Sequence, residues 1–529
     1  YQIYPRSFMD SNGDGIGDIQ GIISKLDYIK ELGFETIWIS PFFKSPQCDF
    51  GYDVSDYCSI SEDFGTLEDA ERLINEIHNR GMYVVFDLVL NHTSDEHPWF
   101  KQSVRKENGK ADWYIWHDGN GKRPPNNWKS LPGPNGWHFN KERGQWYWAS
   151  FLSFQPDLNW RNPEVKNAMF EVVRFWLDKG VDGFRLDIFN TIYEDAELKS
   201  NPKKWNPFPT NNSPSVGFQE LSNSMNHPDN YQLAEELRKL IDEYRNPDRF
   251  VIGEVFGRHT EIKNYLGGKN NGLNLIFLFD LKHFKFNASF FREKLKQYEE
   301  YYPKPYVPVY VYSNHDDRRS ISRIKGSVER AKLLALFQLM VRGVSVTYQG
   351  EEFGMSDTKI PRRKGKDPIA QMYKLPQFIV NSLPLLINRD ECRTPVQWDS
   401  TGNAGFSKTG VETWLPVNKN YKRVNAERAL SDSSSLIYVY KKLLKLRNEL
   451  DCAKLGEAII LHGFPKKILA FERQYQEQSV LVLINFSKKN FEIDLPGNYS
   501  KVVFNTENEN FNIGQELLLK GYQGVVLLN

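Results

Sequence analysis

The sequence predicts an α/β protein built on a (β/α)8 barrel, with a small domain inserted after the third strand and an antiparallel β domain towards the C-terminus. Three observations predict it. Short runs rich in β-branched and aromatic residues alternate with longer stretches of helical periodicity, which implies a parallel sheet. Several of those runs end in a polar or charged residue that a purely structural strand does not need. Two stretches break the alternation with compositions of their own.

In chain order the strand runs are Phe34–Ser40 (FETIWIS), Met82–Leu90 (MYVVFDLVL), Val181–Ile188 (VDGFRLDI), Phe250–Phe256 (FVIGEVF), Val307–Ser313 and Val344–Gln349 (VSVTYQ). Buried parallel strands read this way, as near-continuous apolar runs. Between them, Asp18–Leu32 and Leu67–Arg80 carry apolar residues at helical spacing and run into Gly33 and Gly81, where a helix C-cap belongs. The runs end in Asn91 and His92, in Asp187, in Glu254, and in Asn314, His315 and Asp316. A closed barrel gathers the C-terminal ends of its strands on one face, so residues far apart in sequence meet there. An open doubly wound sheet also gathers strand ends, but no GxGxxG opening is present and the repeats are too many for one small unit.

From about Thr93 to Asp157 the chain turns to Trp, Gly, Pro and Asn with short candidate strands, and reads as the inserted domain. From roughly Gly456, alternating runs such as Ser479–Phe486 and Lys501–Phe504 are separated by Gly and Asn turns, and read as an antiparallel β-sandwich. The expected division is therefore a barrel over 1–92 and 158–455, an insert over 93–157, and a C-terminal domain over 456–529.

Composition narrows the partner. Sixty-eight Lys plus Arg against 67 Asp plus Glu leave a net charge of +1, so no whole-chain field favours nucleic acid or an anionic membrane, and a neutral small molecule is expected. Thirteen Trp and 26 Tyr suit surfaces that stack on apolar ring faces, although most rings in a chain this size fill core. Cys48, Cys58, Cys392 and Cys452 form no CxxC pair and have no zinc-ligand spacing, which points to a reducing compartment. No run reaches the length of a membrane span and no secretory leader is read ahead of Tyr1, so a cytoplasmic protein, monomer or homodimer, is the expectation.

Cleaving a glycosidic bond with retention needs a carboxylate nucleophile and a second carboxylic acid about 5–5.5 Å away. Adjacent barrel strands can hold such a pair. In GFRLD, Arg185 and Asp187 face the same side of one strand, so the guanidinium helps keep Asp187 ionised. Glu254 lies in the mostly apolar VIGEVF, where desolvation raises a carboxyl pKa and suits proton donation. The same residues can also make a buried structural ion pair. Asp316, beside His315 in YSNHDDRR, adds a third carboxylate suited to holding a distorted sugar, and His92 and His315 are placed to hydrogen-bond its hydroxyls. Asp10, Asn12, Asp14 and Asp18 alternate in DSNGDGIGD with the Ile16 carbonyl among them, an oxygen-rich loop suited to a hard divalent ion. It is not an EF-hand, because the twelfth position is Gly21.

These motifs, DLVLNH (87–92), QPDLN (155–159), GFRLD (183–187), GEVF (253–256), SNHD (313–316) and RTPVQWD (393–399), resemble those of the α-amylase family of glycoside hydrolases. Within it they resemble the oligo-1,6-glucosidase and α-glucosidase branch, which QPDLN marks, and the resemblance runs from YQIYPRSF to the C-terminal module. It implies that Asp187 is the nucleophile, Glu254 the general acid/base and Asp316 the transition-state stabiliser. It implies that Arg185, His92 and His315 line the subsite for the non-reducing glucose, with Asp49 on its distal hydroxyls and Tyr52 stacked on its ring. Arg393 matches the arginine that pairs with that acid and closes the pocket behind one glucose, and Phe151 and Gln155 match positions near the leaving group. The 10–18 loop resembles the branch's calcium or magnesium loop, and its ion is structural.

The expectation is a retaining, exo-acting α-glucosidase for short substrates such as maltose, isomaltose or sucrose. A glucosyltransferase or sucrose isomerase uses the same covalent intermediate, and a non-catalytic sugar-binding or transporter-associated member of the fold is the third reading. Three departures from the family bear on linkage and transfer: Ile188 after the nucleophile, Arg318 where Pro is frequent, and Asn127–Trp137, which lacks the usual Phe-Gly-Gly-Ser run.

Overall fold

The computed structural model describes residues 1–205, 215–361, 364–372, 388–497, 499, 501–507 and 516–529. Eight short strands follow one another in chain order in one sheet: β1 (Gln2–Ile3), β2 (Thr36–Ile39), β3 (Tyr83–Leu88), β4 (Gly183–Leu186), β5 (Phe250–Gly253), β6 (Leu275–Leu278), β7 (Val309–Val311) and β8 (Val344–Val346). The architecture is the expected (β/α)8 barrel. By compactness the chain divides into one unit of Thr36–Phe277 and another of Tyr1–Glu35 with Leu278–Asn529.

Within the first unit, β2 to β6 pair in parallel, with Ile37 opposite Val84, Asp87 opposite Arg185, Ile252 opposite Arg185, and Ile252 opposite Leu275. That register matters. It sets Asp87 and Arg185 side by side and puts Asp187 and Glu254 one residue past their strand ends, where Asp187 donates its N–H to Leu88 O (3.1 Å) and Glu254 to Leu186 O (2.9 Å). Gly183 and Gly253 allow the close fit, since a Cβ on Gly183 would meet Phe250 O at 2.2 Å and one on Gly253 would meet Leu273 Cδ1 at 2.5 Å. The helix Leu67–Asn79 opens with a Thr66/Asp69 capping box and buries Ala70, Leu73, Ile74 and Ile77, the i, i+3, i+4, i+7 stripe of its sequence. Between β3 and β4 lie the helix Pro98–Arg105 and a three-stranded antiparallel sheet of Trp116–His117, Gln145–Trp148 and Trp137–Asn140, on a small core of Ile115, Trp128, Trp137 and Trp148.

In the second unit β7 and β8 pair in parallel, and the chain after β8 returns to β1: Gln2 donates to Thr347 O (2.8 Å) and Gln349 donates to Gln2 O (3.0 Å). Last strand meets first, as barrel closure requires. The single helix expected over 18–32 is two, Ile19–Ser24 and Leu26–Leu32, broken at Lys25. The first is pressed against the preceding turn, where a Cβ on Gly21 would lie 1.9 Å from Met9 O. The second ends at Gly33 in the left-handed conformation (φ 99°).

Beyond the helix Leu436–Glu449, a five-stranded antiparallel sheet (Glu457–Ile460, Ile468–Tyr475, Gln478–Asn485, Gly524–Leu528, Lys501–Asn505) and a two-stranded one (Phe491–Asp494, Glu516–Leu519) share a core. Ile468, Leu481, Leu483, Val525 and Leu527 come from the larger sheet, Ile493, Leu517 and Leu519 from the smaller. Two arginines, the half-buried Arg447 of the helix Leu436–Glu449 and the buried Arg473 of the larger sheet, meet the end of the helix Val328–Met340: Arg447 donates to Leu339 O (2.6 Å) and Val341 O (3.0 Å), and Arg473 to Met340 O (2.8 Å) as well as to Gly456 O (2.9 Å). Cations belong at that negative end of a helix dipole.

Candidate active site

In the first unit a single guanidinium organises the acids. Arg185, 1 % exposed, donates through Nη1 to Asp87 Oδ1 (2.8 Å) and Asp187 Oδ1 (2.6 Å), and through Nη2 to Glu254 Oε2 (2.5 Å). Asp187 and Glu254 therefore bind neighbouring nitrogens of one planar fork, an arrangement compatible with the spacing that retaining chemistry needs. The sequence suggested the bond from Arg185 to Asp187; that Glu254 takes the other arm comes from the β4–β5 register. Asp87 was missed as a site residue, being read only as part of a strand run and as the first letter of DLVLNH, with no role given to it. It is buried, and burial pushes its carboxyl up to about 6 against the opposing pull of Arg185. Its other oxygen accepts from Trp38 Nε1 and Tyr52 OH, both at 3.2 Å. The Arg185 guanidinium lies 5.2 Å from the Trp38 ring centroid and 5.9 Å from that of Tyr52, so the predicted stacking ring is itself fixed by this cluster.

Asp49 is buried and accepts from Gln155 Nε2 (3.2 Å), while Gln155 Oε1 accepts from Leu152 N (3.2 Å), one residue beyond the half-buried Phe151. The loop presenting Asp49 wraps around the buried carboxylate of Asp53, which accepts from Ser45 Oγ (3.0 Å), Cys48 N (2.9 Å) and Asp49 N (2.9 Å). Desolvation pushes Asp53 up to about 6. His92 accepts at Nδ1 from Asn91 Nδ2 (3.1 Å) and donates from Nε2 to Tyr52 O (3.2 Å), and burial lowers its pKa to about 3, so it is a neutral imidazole. QPDLN returns beside it: Thr93 N donates to Pro156 O (3.2 Å) and Leu158 N to Asn91 O (3.0 Å). Ile188, directly after Asp187, stands at φ 31°, ψ 45°, a left-handed conformation that a β-branched residue adopts only under strain. The segment Asn127–Trp137 is tied to the loop after β4 by a mutual amide pair, Asn127 Nδ2 to Asn201 O (2.9 Å) and Asn201 N to Asn127 Oδ1 (2.8 Å).

In the second unit the end of β7 carries Asn314, His315 and Asp316. Asn314 Oδ1 accepts from Asp316 N (2.9 Å) and fixes the turn. His315 is fully buried, with Nδ1 2.7 Å from Gln2 Nε2, Nε2 3.1 Å from Asp316 Oδ2, and its ring stacked on Tyr4 at 5.7 Å. Asp316 Oδ1 accepts from Arg393 Nη2 (2.6 Å) and Arg389 Nη1 (3.2 Å), and Arg393 Nε donates to His315 O (2.7 Å). Arg393 thus holds Asp316, a contact absent from the sequence reading. Arg389 was not anticipated either; it stands four residues ahead of RTPVQWD with no strand end to mark it.

In the 10–18 loop, Asp10 accepts from Gly13 N (2.6 Å) and Gly15 N (2.8 Å), Asn12 Oδ1 from Asp14 N (2.8 Å), and Asp14 Oδ1 from Ile16 N (2.8 Å). Asp18 caps the first helix through Gly21 N (2.6 Å). Asp18 also accepts from Ser11 Oγ and N, whereas the Asp10, Asn12 and Asp14 oxygens each keep a lone pair, a donor set that suits a hard divalent ion. Among the described residues, no three acidic, histidine or cysteine side chains are gathered closely enough to form a cage. Nor is any helix among them long and apolar enough to cross a membrane.

Comparison with known proteins gives a consistent picture. Residues 2–456 match the family described as alpha amylase, catalytic domain, and residues 468–526 match the alpha-amylase SusG C-terminal domain. The chain is 38% identical to the oligo-1,6-glucosidase of Parageobacillus thermoglucosidasius, over 99% of this chain and 93% of that protein. It is 38% identical to an alpha-glucosidase of Candida albicans, over 96% and 95%. Among solved structures, an alpha-glucosyl transfer enzyme superposes with a TM-score of 0.89 at 35% identity, over 100% of this chain and 98% of the other.

Proposed function

We propose, from the premise that this chain belongs to the α-amylase family, that it is a retaining, exo-acting α-glucosidase removing one glucose from the non-reducing end of a short α-glucoside. The observation that carries the reading is the Arg185 fork, which holds Asp187 and Glu254 on adjacent nitrogens. Asp187 attacks the anomeric carbon as Glu254 gives its proton to the departing glycosidic oxygen, forming a glucosyl ester and releasing the shortened alcohol. Glu254, now the base, takes a proton from water, whose oxygen bonds to the anomeric carbon as the ester breaks. Asp316 engages the ring hydroxyls of the distorted sugar. His92, His315, Asp49, Tyr52 and Arg393 hold the terminal glucose, with Phe151 and Gln155 towards the leaving group.

The test is a proton NMR time course with maltose, isomaltose and sucrose. Early α-glucose supports retaining hydrolysis and ranks the linkages, and inert mixtures overturn the reading. New disaccharides shift it to transfer or isomerisation, the second reading, which the similarity to an alpha-glucosyl transfer enzyme favours. The Asp10, Asn12, Asp14, Ile16 carbonyl and Asp18 loop is proposed to bind Ca2+ or Mg2+ as a structural ion. Four free cysteines support a reducing, cytoplasmic setting, with the chain acting as a monomer or homodimer.

A further inference from the structure

We propose that Asp367 is a positioning residue that fixes Arg389 and, through it, the side chain of Asp316; the inference rests on the reading of Asp316 as the transition-state stabiliser. Asp367 is completely buried and gives most of its acceptor capacity to one arginine. Its Oδ1 accepts from Arg389 Nε (3.1 Å) and Nη2 (2.8 Å), and its Oδ2 accepts from the Arg389 backbone N–H (2.8 Å). With the Nε–Nη2 edge of the fork and the main chain held, the remaining nitrogen, Nη1, is directed at Asp316 Oδ1 (3.2 Å). A guanidinium is planar, so fixing two nitrogens aims the third.

Asp367 is itself held in place. Asp390 Oδ2 accepts from Lys366 N (2.5 Å) and Asp367 N (3.1 Å), and Ile369 N donates back to Asp367 Oδ1 (3.1 Å). A relay runs from Asp390 through the backbone at 366–367 to the Asp367 carboxylate, to Arg389, and to Asp316. Burial pushes Asp367 up, but the Arg389 charge and hydrogen bonds overcome it and keep the carboxyl below its ordinary range, so the anion that aims Arg389 persists. Arg393 reaches the same Asp316 oxygen from a separate anchor, the His315 carbonyl. Two independently anchored arginines fix the direction of Oδ1 while His315 Nε2 lies against the other oxygen (3.1 Å), and losing the aim of either arginine loosens that grip.

A purely structural role, pinning residues 366–367 to the turn at 388–390, predicts lost stability with no link to Asp316. The test is a double-mutant cycle on kcat for an aryl α-glucoside, using Asp367→Asn, Asp316→Asn and the pair. On the proposal, Asp367→Asn lowers kcat by up to about 100-fold in the native background, changes KM far less, and costs almost nothing further once Asp316 is Asn. Equal losses in both backgrounds, or an unchanged kcat, overturn it. An Asp316→Asn variant with undiminished kcat sinks the reading of Asp316 instead, so the two failures are told apart. If Asp367→Asn does not fold, Asp367→Glu, which keeps the charge and displaces the guanidinium, goes through the same cycle. There the result expected is again a kcat loss that vanishes with Asp316→Asn, and an additive loss again overturns the proposal.

Discussion

At the scale of single residues, Arg185 is the hub of the candidate site, because three buried carboxylates share one cation. Removing the fork while keeping the charge isolates geometry from electrostatics. Arg185→Lys reaches fewer of Asp87, Asp187 and Glu254 at once, and kcat is expected to fall on the order of 100-fold, with thermal unfolding at a lower temperature. An unchanged kcat in steady-state assays rules out the fork as the organiser. His92 yields a pH prediction. Its folded pKa of about 3 lies below the ordinary value of about 6.5, so the unfolded chain takes up a proton that the native state refuses. Its contribution to stability is complete above about pH 6.5 and is lost as pH falls through that value towards 3, about 1.4 kcal/mol per unit. Urea titrations at pH 7.5 and 5.0 should show a loss that shrinks in His92→Asn; equal losses in both proteins would contradict it.

At the scale of elements, the site is a product of strand ends and the loops that follow them. Asp187 and Glu254 were legible because a charged residue closing an apolar run stands out from what a strand needs, and β4 and β5 put them one residue beyond the ladder. Two strands were not legible. β1 is only two residues long, and β6, LIFL, has one β-branched residue and reaches its first charged residue, Asp280, only after Phe279. Asp87 and Asp53 escaped notice for a related reason: each sits where a strand or turn residue is expected, and only the partners it accepts from reveal its task. The helix Val328–Met340 supplies a stability prediction. Arg473→Met leaves the Met340 and Gly456 carbonyls without their donor and should cost about 1.5–3 kcal/mol in denaturant unfolding with KM for substrate unchanged. A variant as stable as the parent shows that the arginine is dispensable to that junction.

At the scale of the whole molecule, the proposed ion is the term that binding can add to folding. A ligand that binds only the native state stabilises it by mass action. Prolonged chelation should therefore lower the unfolding temperature and re-addition of Ca2+ or Mg2+ restore it, with Asp14→Ala abolishing the response; a melt indifferent to both chelator and ion removes the metal from the loop. What the sequence determined alone was the alternation that makes a barrel, six of its eight strands, and the polar residues that end several of them, because periodicity and strand-end chemistry are local properties of the chain. What only the tertiary structure decided was partnership. That Arg185 serves Glu254 as well as Asp187, that Arg393 and Arg389 both hold Asp316, and that Asp367 stands behind Arg389 follow from strand register and loop packing. Those contacts join residues up to 77 positions apart in the chain, a range over which no local spacing in the sequence carries information.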